Sequence, residues 1–199
     1  MYKDRRDPHA EALRIVGHRL DTGVIAPGQS LVITEIAKEL GISPTPVREA
    51  LAWLCGAGRL RRSAHHGYEA FHPSANDLVE LFELRRILLH GALGLINEGG
   101  RAVSLSSGAA KDEDSIAWTI VQASDNALLS ETFACLSSRL SAVDRAHEEA
   151  HGQPETTEPA QFRAWVDRTH LNLVNRVVEI SRDVDRLARE AGAGKTSSS

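Results

Sequence analysis

The sequence predicts a mainly α protein: an N-terminal winged helix-turn-helix followed by an all-helical antiparallel bundle. Three observations carry this. Helical periodicity repeats three times up to Gly56, and a tight turn at Gly41 separates the second and third helices. The alternating stretches "RLRRS" and "YEAFH" then flank "AHHG", which reads as a two-stranded hairpin with His65, His66 and Gly67 at its tip. From Ser74 onward every apolar repeat is helical, as in a bundle. The expected division is 1–73 for the winged helix-turn-helix domain, 74–192 for the helical domain and 193–199 for a disordered polar tail, "GAGKTSSS" being small and polar.

The first helix reads from about Pro8 to Asp21, with Leu13, Val16 and Leu20 at helical spacing and Ile15 widening the stripe. "DTGVIAPGQS" breaks it with Gly23, Pro27 and Gly28 and carries a short extended piece. Thr34 is placed to cap the second helix, "EIAKEL", which Gly41 ends by supplying a left-handed residue. The third helix is expected from Thr45 to about Gly56, with Ser43 or Thr45 as N-cap and Pro46 in the first turn. Cys55 falls on its apolar side, where packing is the expected role.

In the second domain, Ser74 followed by Asp77 makes a capping-box-like start, and Leu78, Leu81, Leu84, Ile87 and Leu88 form the expected core stripe. That helix ends near "NEGG". "RAVSLSSGAAKDED" is a polar connection, "SIAWTIVQAS" and "NALLSETFACLSSRLSAVDRAHEEA" read as helices, and "HGQPETTEP" reads as a loop. The final segment is helical, with an interruption expected near Ser181 and Arg182.

Composition excludes several classes. The 199 residues are 42% hydrophobic and 25% charged, ordinary for a globular chain. The net charge is −4, but residues 1–72 carry ten Lys/Arg against eight Asp/Glu, and residues 73–199 thirteen against nineteen. A mildly positive head on an acidic body suits nucleic-acid binding at the N-terminal end. No run of eighteen apolar residues exists and the start lacks the apolar core of a signal peptide, so a cytoplasmic protein is expected. Cys55 and Cys135 form neither a metal-ligand spacing nor a disulfide framework.

The stretches "GVIAPGQSL" and "ITEIAKELGISPTPVREALAWLCGAGRL", the Gly67 hairpin and "DLVELFELRRIL" together resemble the GntR family of bacterial transcription regulators, in the branch with an all-helical effector domain (the FadR/FCD type). The resemblance implies a DNA-bound repressor or activator, usually a homodimer, whose bundle binds a small metabolite. Arg48 lies one turn into the third helix, on the side of Thr45 and opposite Val47, Leu51 and Leu54. A guanidinium there can pair in bidentate fashion with guanine or clamp a phosphate; the resemblance implies the base contact. Ser43 and Thr45 are expected on phosphate, as is Thr34. Pro44 stands where many relatives have a basic residue, which alters base readout. Of Arg61 and Arg62, adjacent on a strand, at most one faces DNA. His66 and Gly67 are expected at the minor groove.

The family often holds a divalent metal with an Asp and three His. By that resemblance Glu113 takes the place of the Asp, Ala117 replaces the first His, His170 matches the second, and the third falls near Gly192. One good ligand and one carboxylate do not make a tight site, so no metal or other cofactor is expected. His147 and His151, four apart, border a loop and read as solvated residues. Arg85, Arg86 and His170 are the candidate contacts for an organic-acid-like effector, with one of the two arginines close to the apolar stripe. The connection before "DED" is shorter than in relatives. The alternative reading is therefore a DNA-binding dimer whose bundle serves oligomerisation or protein contact only. Enzymatic activity is not expected, because no nucleophile–base pair, Gly-rich phosphate loop or metal quartet is present.

Overall fold

The structure is a computed structural model that describes residues 7–63, 67–101, 103, 113–146 and 159–196. Helix α1 (Pro8–Asp21) opens on Asp7, whose carboxylate accepts from the His9 N–H at 3.0 Å, with proline in the first turn, where no donor is needed. A turn through Gly28, at φ 74°, leads into the two-residue strand β1 (Ser30–Leu31).

Helix α2 (Ile33–Leu40) starts ahead of Thr34. Val32 is the extended residue before it, and its carbonyl accepts from the Ile36 N–H at 3.2 Å. Thr34 is thus the second helical residue, exposed, and not the cap expected of it. Gly41 ends α2 in the left-handed conformation, φ 66°, as its position predicts. Helix α3 (Pro44–Gly56) begins one residue earlier than Thr45, because Ser43 is the extended N-cap and Pro44 takes the first position.

Val47, Ala50, Leu51 and Leu54 of α3 are at most 1% exposed and share one core with Ala12 and Val16 of α1 and Ile36 of α2. Strands β2 (Leu60–Arg62) and β3 (Tyr68–Ala70) pair antiparallel, and β1 adds to the far edge of β3, giving the order β1-β3-β2. The Arg59 guanidinium donates to the Gly17 carbonyl at 3.0 Å and to the Asp21 carboxylate, tying the start of the wing to α1.

The described residues up to His72 form one compact unit together with those from Asp183, and Pro73–Arg182 form the second. The sequence reading instead places everything from 74 to 192 in one bundle. Within the first unit, His72 Nε2 lies 2.8 Å from Asp185 Oδ1, a pairing that links residues 113 positions apart.

In the second unit, α4 (Ala75–Glu98) starts with the full capping box: Ser74 Oγ accepts from the Asp77 N–H at 3.2 Å and the Asp77 carboxylate accepts from the Ser74 N–H at 2.9 Å. Its buried stripe is Leu78, Leu81, Phe82, Arg85, Leu89, Ala92, Leu93 and Ile96. Leu84 and Ile87, expected inside, are exposed at 39% and 53%. Helices α5 (Glu113–Ala123), α6 (Ala127–Ala146) and α7 (Pro159–Asn175) pack against α4. Helix α8 (Val177–Thr196) runs four residues into the expected tail. The break before it falls at Arg176, whose N–H is shared at 3.2 Å between the carbonyls of Asn172 and Leu173, and not near Ser181 and Arg182. Among the described residues no helix is long and apolar enough to cross a membrane.

Because Leu51 is fully buried and its neighbour Trp53 is 57% exposed, Leu51→Ala should destabilise the protein by about 2–5 kcal/mol. Trp53→Ala should change stability by no more than about 0.5 kcal/mol. Urea unfolding followed by far-ultraviolet circular dichroism measures both.

Candidate nucleic-acid interface and a recess in the helical domain

With its inner stripe committed to the core, α3 turns Thr45, Arg48, Glu49, Ala52 and Trp53 outward, all exposed. Ser43 and Pro44 are exposed at its N-terminal end. Neither Ser43 nor Val32 caps its helix with a side chain. In the first turn of α2 the backbone N–H groups remain for an outside acceptor, whereas in α3 only Thr45 has one to offer, because Pro44 and Pro46 carry none. Arg48 and Thr45 share the outward face as the sequence predicts, and Thr34 lies exposed in the first turn of α2.

On the wing, Arg61 and Arg62 are both exposed, and the Arg61 guanidinium sits 4.6 Å above the Phe71 ring centre. Gly67 closes the hairpin by accepting from the Ser63 N–H at 3.0 Å. A Cβ on Gly67 would meet nothing closer than the Leu31 carbonyl at 3.7 Å, so the fold itself does not demand glycine there. His65 and His66 lie outside the described residues, as do His147 and His151. The sequence reading does not single out Ala52 and Trp53, although spacing from Arg48 and Glu49 places them on the same outward side.

The helical domain holds a small, partly open recess between α4 and α7. Phe82, Leu89, Trp165, Val166 and Leu173 make it largely apolar, and Arg85, Arg86, Thr169 and His170 supply its polar groups. All three residues named from sequence thus converge here. Arg85 is the arginine inside the stripe, 4% exposed, and Arg86 is half-buried at the edge. The His170 Nδ1 is buried with no hydrogen-bond partner among the described residues. Buried polar atoms rarely stay in that state without cost.

Beside the recess, Asp167 of α7 receives His90 Nε2 at 2.8 Å and faces Arg86 Nη1 at 3.6 Å. The hydrogen bond from His90 is the main cause of a depressed Asp167 pKa. Burial opposes it, and the charges of His90 and Arg86 add to the depression. Neither His90 nor Asp167 was picked out from sequence. They are seventy-seven positions apart, and only the helix pairing brings them together. Ala117, aligned with the first histidine of the family metal site, is fully buried among apolar neighbours, and no group of three or more metal-ligating side chains occurs among the described residues.

A helix-turn-helix, a β-wing and an outward arginine on the third helix define a winged helix-turn-helix protein with a helical second domain. Residues 10–68 match the family model of bacterial regulatory proteins, gntR family, to which the N-terminal domain is thus similar. The chain is 41% identical over 69 residues to the Nta operon transcriptional regulator of Aminobacter aminovorans, covering 35% of this chain and 33% of that protein. It is 31% identical over 74 residues to the uncharacterized HTH-type transcriptional regulator YdhC of Bacillus subtilis (strain 168), covering 37% and 33%. The chain thus spans about a third of the length of these relatives. The solved structure of E. coli McbR/YncC is similar in fold across 96% of both chains, with a TM-score of 0.54 at 20% identity.

The depressed Asp167 carries a pH consequence. A carboxylate held below its ordinary value of 3.8 adds stability that is present above that value and lost as pH falls through the lower, folded one. The difference in melting temperature between the wild type and Asp167→Asn should therefore be largest near pH 5 and close progressively below about pH 4. Thermal melts across that range check it, and a gap that persists undiminished at pH 2 would contradict it.

Proposed function

We propose that this protein is a sequence-specific, DNA-binding transcriptional regulator, in its simplest form a repressor that occupies its operator. The observation that carries the reading is the outward face of α3, with Arg48 and Thr45 exposed beside a helix start left open to an acceptor. Arg48 is assigned to a base edge in the major groove. Ser43 and Thr45, with Thr34 on α2, are assigned to phosphates, and Pro44 replaces a cationic contact with a neutral one. Arg61 or Arg62 and the Gly67 tip, with His66 beside it, are assigned to the wing contact. The gntR-type match over residues 10–68 supports this reading. We assign the protein to the cytoplasm and give it no catalytic role.

The helical domain is assigned to the FadR/FCD type, with the α4–α7 recess as the site of a small organic anion bound without a metal. Support comes from the apolar walls, the two arginines and the orphaned His170 Nδ1. Homodimerisation is assigned to the outer face of α4, where Leu84 and Ile87 are exposed and Gly91 continues the same side one turn on.

Fluorescence anisotropy with the DNA upstream of the protein's own gene, across a salt series, tests the DNA reading. Affinity should fall steeply with salt, and Arg48→Ala should cost roughly 1–3 kcal/mol and relax base preference at one position per half-site. Unchanged affinity and specificity would remove Arg48 from the interface. Sedimentation equilibrium should show a dimer that Ile87→Glu converts to monomer, and a wild-type monomer would overturn the α4 assignment. Metal analysis of the purified chain should find no stoichiometric zinc, nickel or manganese.

A further inference from the structure

We infer that Arg86 is a two-position anion reader, held by Asp167 when the recess is empty and released to a ligand carboxylate when it is filled. This rests on the recess being the effector site. Asp167 stands one turn before His170 on α7, and its Oδ1 is the nearest carboxylate oxygen to Arg86. The 3.6 Å from Arg86 Nη1 exceeds hydrogen-bond length, while His90 Nε2 takes the same oxygen at 2.8 Å. The other carboxylate near Arg86, Glu83, lies at 4.0 Å from Nη2 on the exposed side. Arg86 is therefore attracted at both ends, with only a long, weak contact to Asp167 and a longer one to Glu83.

Because His90 continues to satisfy Asp167, the guanidinium can turn toward the recess it lines without leaving a carboxylate bare. Arg86 is also well suited to the exchange, since its planar fork matches a carboxylate in bidentate fashion. The walls state the rest of the ligand. Phe82, Leu89, Trp165 and Leu173 suit a compact apolar body, so the ligand class is a small apolar monocarboxylate. Asp167 then acts as an internal competitor for Arg86, and His90 as the residue that weakens that competition by occupying the acid. Asp167 and His90 are positioning residues. Arg86 touches the ligand.

Opposite signs for two neighbouring substitutions form the test. The full-length chain is titrated calorimetrically with isobutyrate and benzoate and with their neutral amides. The wild type should prefer each acid over its amide, and Arg86→Met should abolish the preference. Asp167→Asn should strengthen acid binding by roughly two- to fivefold and leave amide binding unchanged. His90→Ala, which leaves Asp167 to Arg86 alone, should weaken acid binding by a similar factor. Circular dichroism confirms that each variant is folded, and Asp167→Asn decides the matter if His90→Ala is not. Acid binding by the wild type that Asp167→Asn leaves unchanged, or shifts equally with the amide, would overturn the exchange while the recess stands as a ligand site. No binding of either acid to the wild type or to Asp167→Asn would overturn both.

Discussion

The four inward residues of α3 constrain everything the N-terminal domain can offer. Val47, Ala50, Leu51 and Leu54 are sealed against α1 and α2, so the helix can turn only one stripe to solvent. Rotating it to show a different face would expose at least two of these side chains, at about 1.5–3 kcal/mol each. The outward stripe is therefore not a choice among rotamers of the whole helix. It is the remainder after the core is made, and Arg48 is carried on it at a fixed angle to Thr45. Arg59 extends the same rigidity to the wing by binding the Gly17 carbonyl and the Asp21 carboxylate of α1. Helix α3 and the wing are thus both referred to α1.

The helical domain applies the opposite logic at one place. Its long helix α4 buries seven apolar residues and one arginine, and the arginine is the anomaly. A guanidinium 4% exposed in an apolar stripe is expensive unless acceptors face it. Arg85 has partners, and its neighbour Arg86 shares the recess at the edge. Two cations side by side, against indole and aliphatic walls, put concentrated positive charge next to a low-dielectric surface. The proposed ligand, with one negative end and a dry body, would answer that arrangement.

Local signals were legible in the sequence and long-range ones were not. The Ser74–Asp77 capping box and the left-handed Gly41 stand where their residue types predict, because each depends on contacts within four positions. The inner and outer faces of α3 were readable for the same reason, since its apolar residues leave one arrangement only. On α4 the apolar residues Leu84, Ile87, Leu88 and Leu89 lie on both sides of Arg85 and Arg86, so two stripes fit the periodicity. The packing of α5, α6 and α7 selects the one containing Arg85 and Leu89, leaving Leu84 and Ile87 outside. Thr34 was misread because a hydroxyl signals a cap, whereas the backbone of Val32 already supplies the extended residue before the helix. His90 meets Asp167, and His72 meets Asp185, across separations that no local pattern encodes.

The central claim is that the outward face of α3, and not the helical domain, meets DNA. Hydrogen–deuterium exchange of the full chain, with and without the duplex from upstream of its own gene, addresses it most directly. The account predicts slowed exchange in the first turns of α2 and α3 and along β2 and β3, with α5 and α6 unchanged. Protection confined to the helical domain, or none at α3 under conditions where the duplex is bound, would contradict it.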